Sequence, residues 1–327
     1  MSTQLDLVPV KPTTAIVGEA TSRKSGRAVW FRLLANDRVA AFAAAVLALV
    51  FLTALFGPML MGHIATSIDL DNSNQAPFTF AHGWANVLGT DPLGRSMLAR
   101  LVVASRTTLS VAIPAVVISA VIGSLIGMWA GYHRGWRETV AMRVADVIMS
   151  FPSLLLAVVV LYVFSPSAAN IVAVLALTRI PVYLRTARAE SAELQSRLFV
   201  DAARTFGASP SAIITRHVLP IVLPTLLTVA TLDFCYVMLA ESSLSFLGIG
   251  IQPPDVSWGL MVAQGRTYLN SAWWLSFFPG LAIVITTVSA TIRASWARIA
   301  GDPGQRWRLT VPQKRLSRFT KTTKALS

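Results

Sequence analysis

The chain has 327 residues, of which 54% are hydrophobic and only 13% are charged, and its mean hydropathy is +0.61. About a quarter of the residues in a soluble domain are charged, so this composition excludes an ordinary soluble domain and predicts a surface that faces lipid. The net charge of +13 would suggest nucleic-acid binding if it formed one basic face. The Lys and Arg residues lie instead in blocks between apolar runs, so we expect membrane lipid around the chain and no nucleic-acid partner.

Six apolar segments are each long enough to cross about 30 Å of hydrocarbon as a helix of about 20 residues. Backbone polar groups find no water in lipid, so each span is expected to be helical. The third and fourth spans are separated only by Ser-Pro-Ser, which predicts a tight hairpin. The fold class is therefore an all-α integral membrane protein with six transmembrane helices, at 38–61, 107–131, 143–164, 168–187, 218–240 and 273–296.

The distribution of basic residues predicts the orientation of these spans. Of the 28 Lys and Arg residues, 22 lie in segments 1–38, 132–143, 185–217 and 297–327, whereas the alternating segments 62–104, 165–167 and 241–272 contain three. Cytoplasmic loops carry the excess of Lys and Arg. Both termini are therefore expected in the cytoplasm.

The spans divide the chain into segments. The N-terminal segment has no apolar core of a cleavable signal peptide, so the first span is expected to be an uncleaved anchor. In chain order, we expect a basic cytoplasmic tail at 1–37, the anchor helix at 38–61, an external loop at 62–106, a core of five helices at 107–300 with its largest cytoplasmic loop at 188–217, and a basic cytoplasmic tail at 301–327.

Residues 201–220, DAARTFGASPSAIITRHVLP, predict a capped helical stub in this cytoplasmic loop. Gly207 stands where a left-handed C-terminal cap is needed, and Ser209 with Pro210 is typical of an N-cap followed by proline at the first helical position. The first helix, 199–206, is expected to be short and amphipathic, with apolar side chains at three- and four-residue spacing, Phe199, Ala203 and Phe206. The second helix carries apolar side chains into the fifth span, at Ile213, Ile214 and Val218. A partner that grips this stub could tilt that span.

This stub resembles the EAA loop of ABC-importer permeases, whose pattern is Glu-Ala-Ala, three residues, Gly, nine residues, Ile, any residue, Leu-Pro. Asp201 stands for the Glu and His217 for the Ile, and Arg-His-x-Leu-Pro is similar to the peptide-permease version. In that family the loop docks on the ATP-hydrolysing subunit. The resemblance implies docking and hinge roles for Asp201, Ala202, Ala203, Arg204, Gly207, Ala208, Ser209, Leu219 and Pro220.

Residues 241–250, ESSLSFLGIG, with QPP and SWG following, resemble the signature after the fifth span in the second permease subunit of dipeptide, oligopeptide and nickel importers. The signature residues are Glu241, Ser245, Phe246, Leu247, Gly248 and Gly250. The segment LGTDPLGRS at 88–96, running on to Arg100, also resembles this family, with Ser96 where Asp is usual. Here Thr90 or Asp91 is expected to cap a helix that starts at Pro92.

Ionisable groups inside spans cost about 2.5–3.5 kcal/mol on insertion scales, so each is a functional candidate. Asp233, near the middle of the fifth span, and its neighbour Tyr236 are candidates for lining the translocation path or bridging helices. A hydrogen-bonded Asp in ordinary packing is the alternative. We expect Arg179 and Arg293 to snorkel towards the cytoplasmic ends. Span-edge acids are expected to be solvated, at Asp146 and Glu241, and prolines to bend their helices, at Pro152, Pro181 and Pro224.

The resemblance covers roughly residues 86–300 and implies an ABC type I importer permease-like core in a bacterial inner membrane, which makes the external loop periplasmic. It also implies a heterodimer with a sibling permease, two cytoplasmic ATPase subunits that bind ATP and Mg²⁺, and a periplasmic or lipid-anchored solute-binding protein. The chain itself is expected to be non-catalytic and to bind no cofactor or metal, since 18–25 lacks the second glycine of a phosphate-binding loop. The passenger would be a peptide, nickel, glutathione or a similar solute.

Other classes of function make different demands on the sequence. A secondary, ion-coupled transporter would need coupled acids on broken helices, for which only Asp233 is a candidate. An intramembrane enzyme would need a nucleophile and a base at matching depth, and the sequence offers no such pair. An exporter permease is disfavoured because the two motifs resemble importers.

Overall fold

The computed structural model describes residues 37–79, 83–164 and 167–301, and within these ranges the regular elements are helices, apart from an isolated antiparallel bridge between Thr90 and Ser96. The predicted tails 1–37 and 301–327 lie outside the described residues except for Asp37 and Gly301. A π-helical turn, Ile214–Val218, joins two of the helices. In chain order the helices are α1 (Arg38–Thr66), α2 (Met97–His133), α3 (Trp136–Met149), α4 (Ser153–Phe164), α5 (Ala168–Leu194), α6 (Leu198–Thr205), α7 (Pro210–Ile213), α8 (Leu219–Phe246), α9 (Trp258–Gly265) and α10 (Trp274–Gly301).

Within the described ranges, five helical stretches are long and apolar enough to cross a membrane: α1, α2, α5, α10 and the stretch Pro210–Phe246 that contains α7 and α8. The predicted third span, 143–164, is not one helix, because α3 and α4 meet at 81°. The break falls at Ser150–Pro152, as expected for a proline that lacks an N–H and clashes with the preceding turn. The bend at Pro152 is confirmed, and the continuous third span is wrong; a sixth span exists only if the bent pair counts as one.

Several helices extend beyond their predicted spans into the predicted loops, α2 and α5 the furthest. α2 begins at Met97, inside the external loop predicted at 62–106, and Ser96 caps it by accepting a hydrogen bond from the Ala99 N–H at 3.2 Å. The predicted helix start at Pro92, capped by Thr90 or Asp91, is therefore wrong. α5 continues to Leu194, so the cytoplasmic loop predicted at 188–217 starts only after that residue.

The most extensive helix pair is α2 with α5. Glycines recur every fourth residue on one face of α2, and a Cβ on each would collide with a main-chain carbonyl of α5. Small residues at this spacing let two backbones approach closely in lipid, where no hydrophobic force drives helices together. The contacts advance in the same direction along both helices, so α2 and α5 run parallel. They pair Gly123 with Ile180, Gly127 with Leu184 and Gly131 with Arg188.

The remaining helices surround this pair. α8 packs on α2, α5 and α10, and α1 packs on α2 and α10. A large apolar cluster joins α2, α4, α5 and α8 through fully buried side chains, including Val111, Leu161, Ile171, Val237 and Met238. A second cluster lies at the end of the bundle where α2 and α5 terminate, beneath α6 and α7. This second cluster positions the predicted stub.

Candidate coupling stub and intramembrane polar cluster

The first half of the predicted stub is α6, which ends in a Schellman motif. The Gly207 N–H donates to the Arg204 carbonyl at 2.9 Å, and the Ala208 N–H donates to the Ala203 carbonyl at 3.0 Å. This pair of bonds requires a left-handed residue after the helix, and Gly207 has φ +81°. A Cβ there would meet nothing within 4 Å in the described part of the chain, so glycine is needed for its backbone angle and not for space.

The second half of the stub leads directly into the fifth predicted span. The Ser209 hydroxyl accepts a hydrogen bond from the Ala212 N–H at 3.4 Å, and Pro210 opens α7. The predicted N-cap and first-position proline are therefore confirmed. The π turn Ile214–Val218 then connects α7 to α8, which starts at Leu219 and Pro220. A π turn inside a helix is uncommon and is found mostly at functional sites.

The stub is seated on the ends of α2 and α5 by apolar contacts. Val200 of α6, Ile213 of α7 and Val218 of the π turn are fully buried. They share one cluster with α2 and α5 residues, Met128, Tyr132, Tyr183 and Ala187. Arg204 reinforces the seat, because its Nε donates to the Tyr132 hydroxyl at 3.2 Å and its guanidinium lies 5.1 Å from the Tyr132 ring centre.

The outer face of α6 differs from the face predicted by spacing. Phe199 is exposed and Phe206 is 90% exposed, so of the three residues at this spacing only Ala203 packs against the buried cluster. Val200 is buried instead, because the seat lies under it. Asp201 and Ala202 face outwards, and the Asp201 carboxylate pairs with Arg204 at 3.4 Å. The exposed face of α6 therefore carries apolar side chains and one carboxylate.

Asp233 faces the interior and forms an ion pair with Arg179, which bridges α8 and α5. The prediction that Arg179 snorkels to the membrane surface is therefore wrong, since its guanidinium is held at the depth of Asp233. The Arg179 guanidinium also lies 4.2 Å from the centre of the Tyr236 ring, a cation–π contact. Asp233 therefore bridges two helices, α8 and α5. The sequence signal for this pair was the presence of an acid and a base in two different spans.

A fourth side chain joins this cluster from the broken span. The Ser153 hydroxyl lies 2.5 Å from the Tyr236 hydroxyl, so a hydrogen bond links the first residue of α4 to α8. Ser153 follows the break at Pro152 directly. Ser153 was not among the predicted site residues, because a single serine inside a span carries no periodic signal. The polar cluster therefore ties α4, α5 and α8 together at one level, through Ser153, Arg179, Asp233 and Tyr236.

The signature residues lie at the far end of α8. Glu241 is fully buried, so the expectation that it is solvated at a span edge is wrong. Its carboxylate accepts a hydrogen bond from the Ser245 hydroxyl at 2.8 Å, and that hydroxyl in turn accepts one from the Ile251 N–H at 3.1 Å. A Cβ on Gly250 would collide with Ser245. These contacts fold the chain back across the end of α8.

Gly248 forms a second Schellman motif at this end. Its φ is +84° and its N–H donates to the Ser245 carbonyl at 3.1 Å, while the Ile249 N–H donates to the Leu244 carbonyl at 3.1 Å. Phe246 and Leu247 remain exposed. Further along, the Trp258 indole donates to a carbonyl of α2 at 2.9 Å and holds α9 in place. The turn at this end of α8 is thus built from local caps.

The predicted site residues therefore fall into three groups along one helical rod. The stub lies at one end of α8, the polar cluster lies about 20 Å along it from Pro220, and the signature segment lies at the other end. Asp146 is half-exposed, as expected, and pairs with Arg185. The Arg293 guanidinium lies 4.3 Å from the Trp296 ring centre.

Comparisons with known proteins show which family this chain resembles. Residues 123–302 match the family described as binding-protein-dependent transport system inner membrane component, and residues 26–77 match the N-terminal TM domain of oligopeptide transport permease C. A probable D,D-dipeptide transport system permease protein of Escherichia coli K12 is 35% identical over 89% of this chain and 96% of its own length. A glutathione transport system permease protein of Pectobacterium atrosepticum is 31% identical over 89% and 95%.

Two further comparisons extend this result. A di/tripeptide transport system permease protein of Pseudomonas aeruginosa is 35% identical over 78% of this chain and 84% of its own length. A chain from the inward-facing MetNI methionine ABC transporter superposes with a TM-score of 0.50 at 19% identity, over 62% of this chain and 96% of that chain. At that identity the likeness concerns the fold.

Proposed function

The chain belongs to the binding-protein-dependent transport system inner membrane components, the multi-pass permease subunits of ABC importers, and from this membership we propose that it forms part of a translocation path for short peptides. The relatives above are named for D,D-dipeptide, di/tripeptide or glutathione transport. Short peptides are therefore a better-supported substrate than nickel. The proposed partners are a sibling permease, two ATPases that bind ATP and Mg²⁺, and a solute-binding protein.

We place α6 in the cytoplasm, with both termini on the same side. The charge pattern supports this orientation, because the α6 end of the bundle carries most of the described basic residues, including Arg134, Arg137, Arg188, Arg197 and Arg204. The signature end carries Arg95, Arg100 and Arg266. α6 then faces the compartment that contains ATP.

The proposed mechanism is alternating access driven through the stub. α6 docks on an ATPase by its exposed face, and movement of α6 tilts α8 through the rod Pro210–Phe246. The tilt displaces Asp233 and Tyr236 relative to α4 and α5. The seating of the stub in line with α8 is the observation that carries this proposal. Substrate binding and ATP binding would bias the same two conformational states, so each would change the affinity of the importer for the other.

The ion-coupled alternative has no structural support. It would require Asp233 to be free to take up and release a cation or proton. Asp233 is paired with Arg179 instead, so its carboxylate is already engaged by a cation of the chain itself. We therefore do not pursue a secondary transporter.

Gly207→Pro is expected to abolish ATP-driven uptake. Proline fixes φ near −65°, whereas Gly207 has φ +81°, and its ring removes the N–H that bonds Arg204. The end of α6 should therefore lose its Schellman motif and with it the turn that connects α6 to α7. The measurement is uptake of radiolabelled dialanine into proteoliposomes containing the co-expressed importer, together with recovery of the ATPase in a pull-down.

Gly207→Asn is the matched control, because asparagine tolerates the left-handed region. It should retain the ATPase and most of the uptake, and both variants should insert normally into the membrane. Normal uptake by Gly207→Pro would refute the proposal that movement of α6 tilts α8. Uptake by the wild-type chain without any ATPase would refute the proposal that ATP drives transport.

A further inference from the structure

α3 runs across the end of α5 instead of along it. Glu138 and Asp146 of α3 pair with Arg188 and Arg185 of α5, respectively. The two acids are separated by about 12 Å of helix, whereas the two arginines are separated by about 4.5 Å. Together with the 81° break before α4, this spacing indicates that α3 lies obliquely to the bundle.

The two ion pairs also fix the roll of α3. They hold both acids of the helix towards α5, and Ala145 on the same side is buried. The opposite side carries apolar side chains at spacings of four, four and three residues, which fall within about 80° of arc at 100° per residue. This outer stripe consists of Trp136, Val140, Val144 and Val147, all more than half exposed.

Two arginines border the outer stripe, one on each side. Arg137 and Arg143 are exposed, and neither forms an ion pair with another described residue. The Arg137 guanidinium lies 5.6 Å and 5.9 Å from the ring centres of Trp129 and Trp136. Because both acids are neutralised by α5, the charge that α3 presents outwards is positive.

We propose that α3 is an interfacial helix, with its outer stripe in the lipid of the cytoplasmic leaflet and Arg137 and Arg143 on anionic phospholipid headgroups. A short apolar stripe with basic flanks and tryptophan is the composition of a helix that lies in the membrane interface. A sibling permease covering the stripe would need a carboxylate opposite each guanidinium group to avoid burying an unpaired charge. Lipid phosphates would pair with them.

This placement changes how the broken span is counted. α4 has 12 residues, or about 18 Å of helix, which is too short to cross the hydrocarbon alone. With α3 in the interface, α4 starts at Ser153 within the polar cluster, already part of the way into the bundle. The choice of the cytoplasmic leaflet rests on the orientation proposed above, whereas the lipid contact itself depends on neither the movement of α6 nor the transported substrate.

Site-directed spin labelling can test the lipid contact. The chain has one cysteine, Cys235, so Cys235→Ser allows nitroxides to be attached at Val140→Cys, Val144→Cys and, as the matched control, Thr139→Cys on the polar shoulder. The complete importer, with cysteine-free partners, is reconstituted in phosphatidylethanolamine and phosphatidylglycerol. Collision with oxygen, which is concentrated in lipid, is compared with collision with a water-soluble nickel chelate.

Labels at 140 and 144 should favour oxygen over the nickel chelate, and the label at 139 should show the reverse preference. If both reagents fail to reach 140 and 144, a protein partner covers the stripe and the proposal is overturned. If the nickel chelate reaches 140 and 144 as freely as 139, the stripe faces water and the proposal is equally overturned.

The headgroup contact needs a second measurement. Native mass spectrometry of the importer should show retained phosphatidylglycerol in preference to phosphatidylcholine. Arg137→Gln and Arg143→Gln should each reduce that preference about fivefold, as expected for one arginine at an anionic surface. Arg197→Gln, which removes an exposed charge paired with Glu193, is the control and should leave it unchanged. Equal retention in all variants would overturn the headgroup assignment.

Discussion

Gly127→Leu is expected to separate α2 from α5 and to remove most of the folded protein from the membrane. The Cβ alone would collide with the Leu184 carbonyl and would lie 2.9 Å from the Ala187 Cβ. Neither neighbour can move away easily, because one is backbone and the other is packed at its root. Overpacking of a close interface costs about 1–3 kcal/mol and sometimes more, and a leucine at the middle of a three-glycine face falls at the upper end.

The amount of folded Gly127→Leu protein can be measured by size-exclusion chromatography in detergent and by its thermal unfolding midpoint. Gly280→Leu is the matched control, since Gly280 also lies within an apolar helix but a Cβ there meets no described atom within 4 Å. It should fold like the wild type. If both leucine variants were equally stable, the close approach of α2 and α5 would be wrong.

Asp233→Ala is expected to destabilise the bundle by about 3–5 kcal/mol, the cost of leaving one member of a buried ion pair uncompensated. The charge left behind is that of Arg179, which is held between α5 and α8 by Asp233 and the Tyr236 ring. The free energy of unfolding in mixed detergent micelles measures this effect directly. The exposed Arg197–Glu193 pair is the comparison, because breaking a surface pair costs about 1 kcal/mol or less.

The double variant Asp233→Leu with Arg179→Leu separates stability from transport. Replacing both members of a buried pair by apolar side chains is often close to neutral for stability. We therefore expect the double variant to fold nearly as well as the wild type. If the pair also controls the translocation path, the same variant should lose dialanine uptake. A double variant as unstable as Asp233→Ala would contradict the pairing, and one with full uptake would limit the pair to a structural role.

Several features of this protein are determined by short stretches of sequence. The apolar composition dictates a membrane protein, and the stub with its caps at Gly207 and Ser209 follows from nearby residues, because Schellman and N-cap motifs are closed by hydrogen bonds within a few residues. The break at Pro152 is local for the same reason, since the missing N–H and the ring act on the preceding turn. The path of the chain after the break is not local, and the prediction of one continuous span there was wrong.

Only the tertiary structure decided which side of each span faces protein. In water, polar and apolar faces reveal the inner side of a helix, but lipid is as apolar as a protein core, so hydrophobic spacing loses that information. For this reason Arg179 was expected at the surface and is found on Asp233, and Glu241 was expected to be solvated and is buried. The same limit applies to α6, where the seat on α2 and α5 buries Val200 and leaves Phe206 exposed. Long-range packing, not spacing, made those choices.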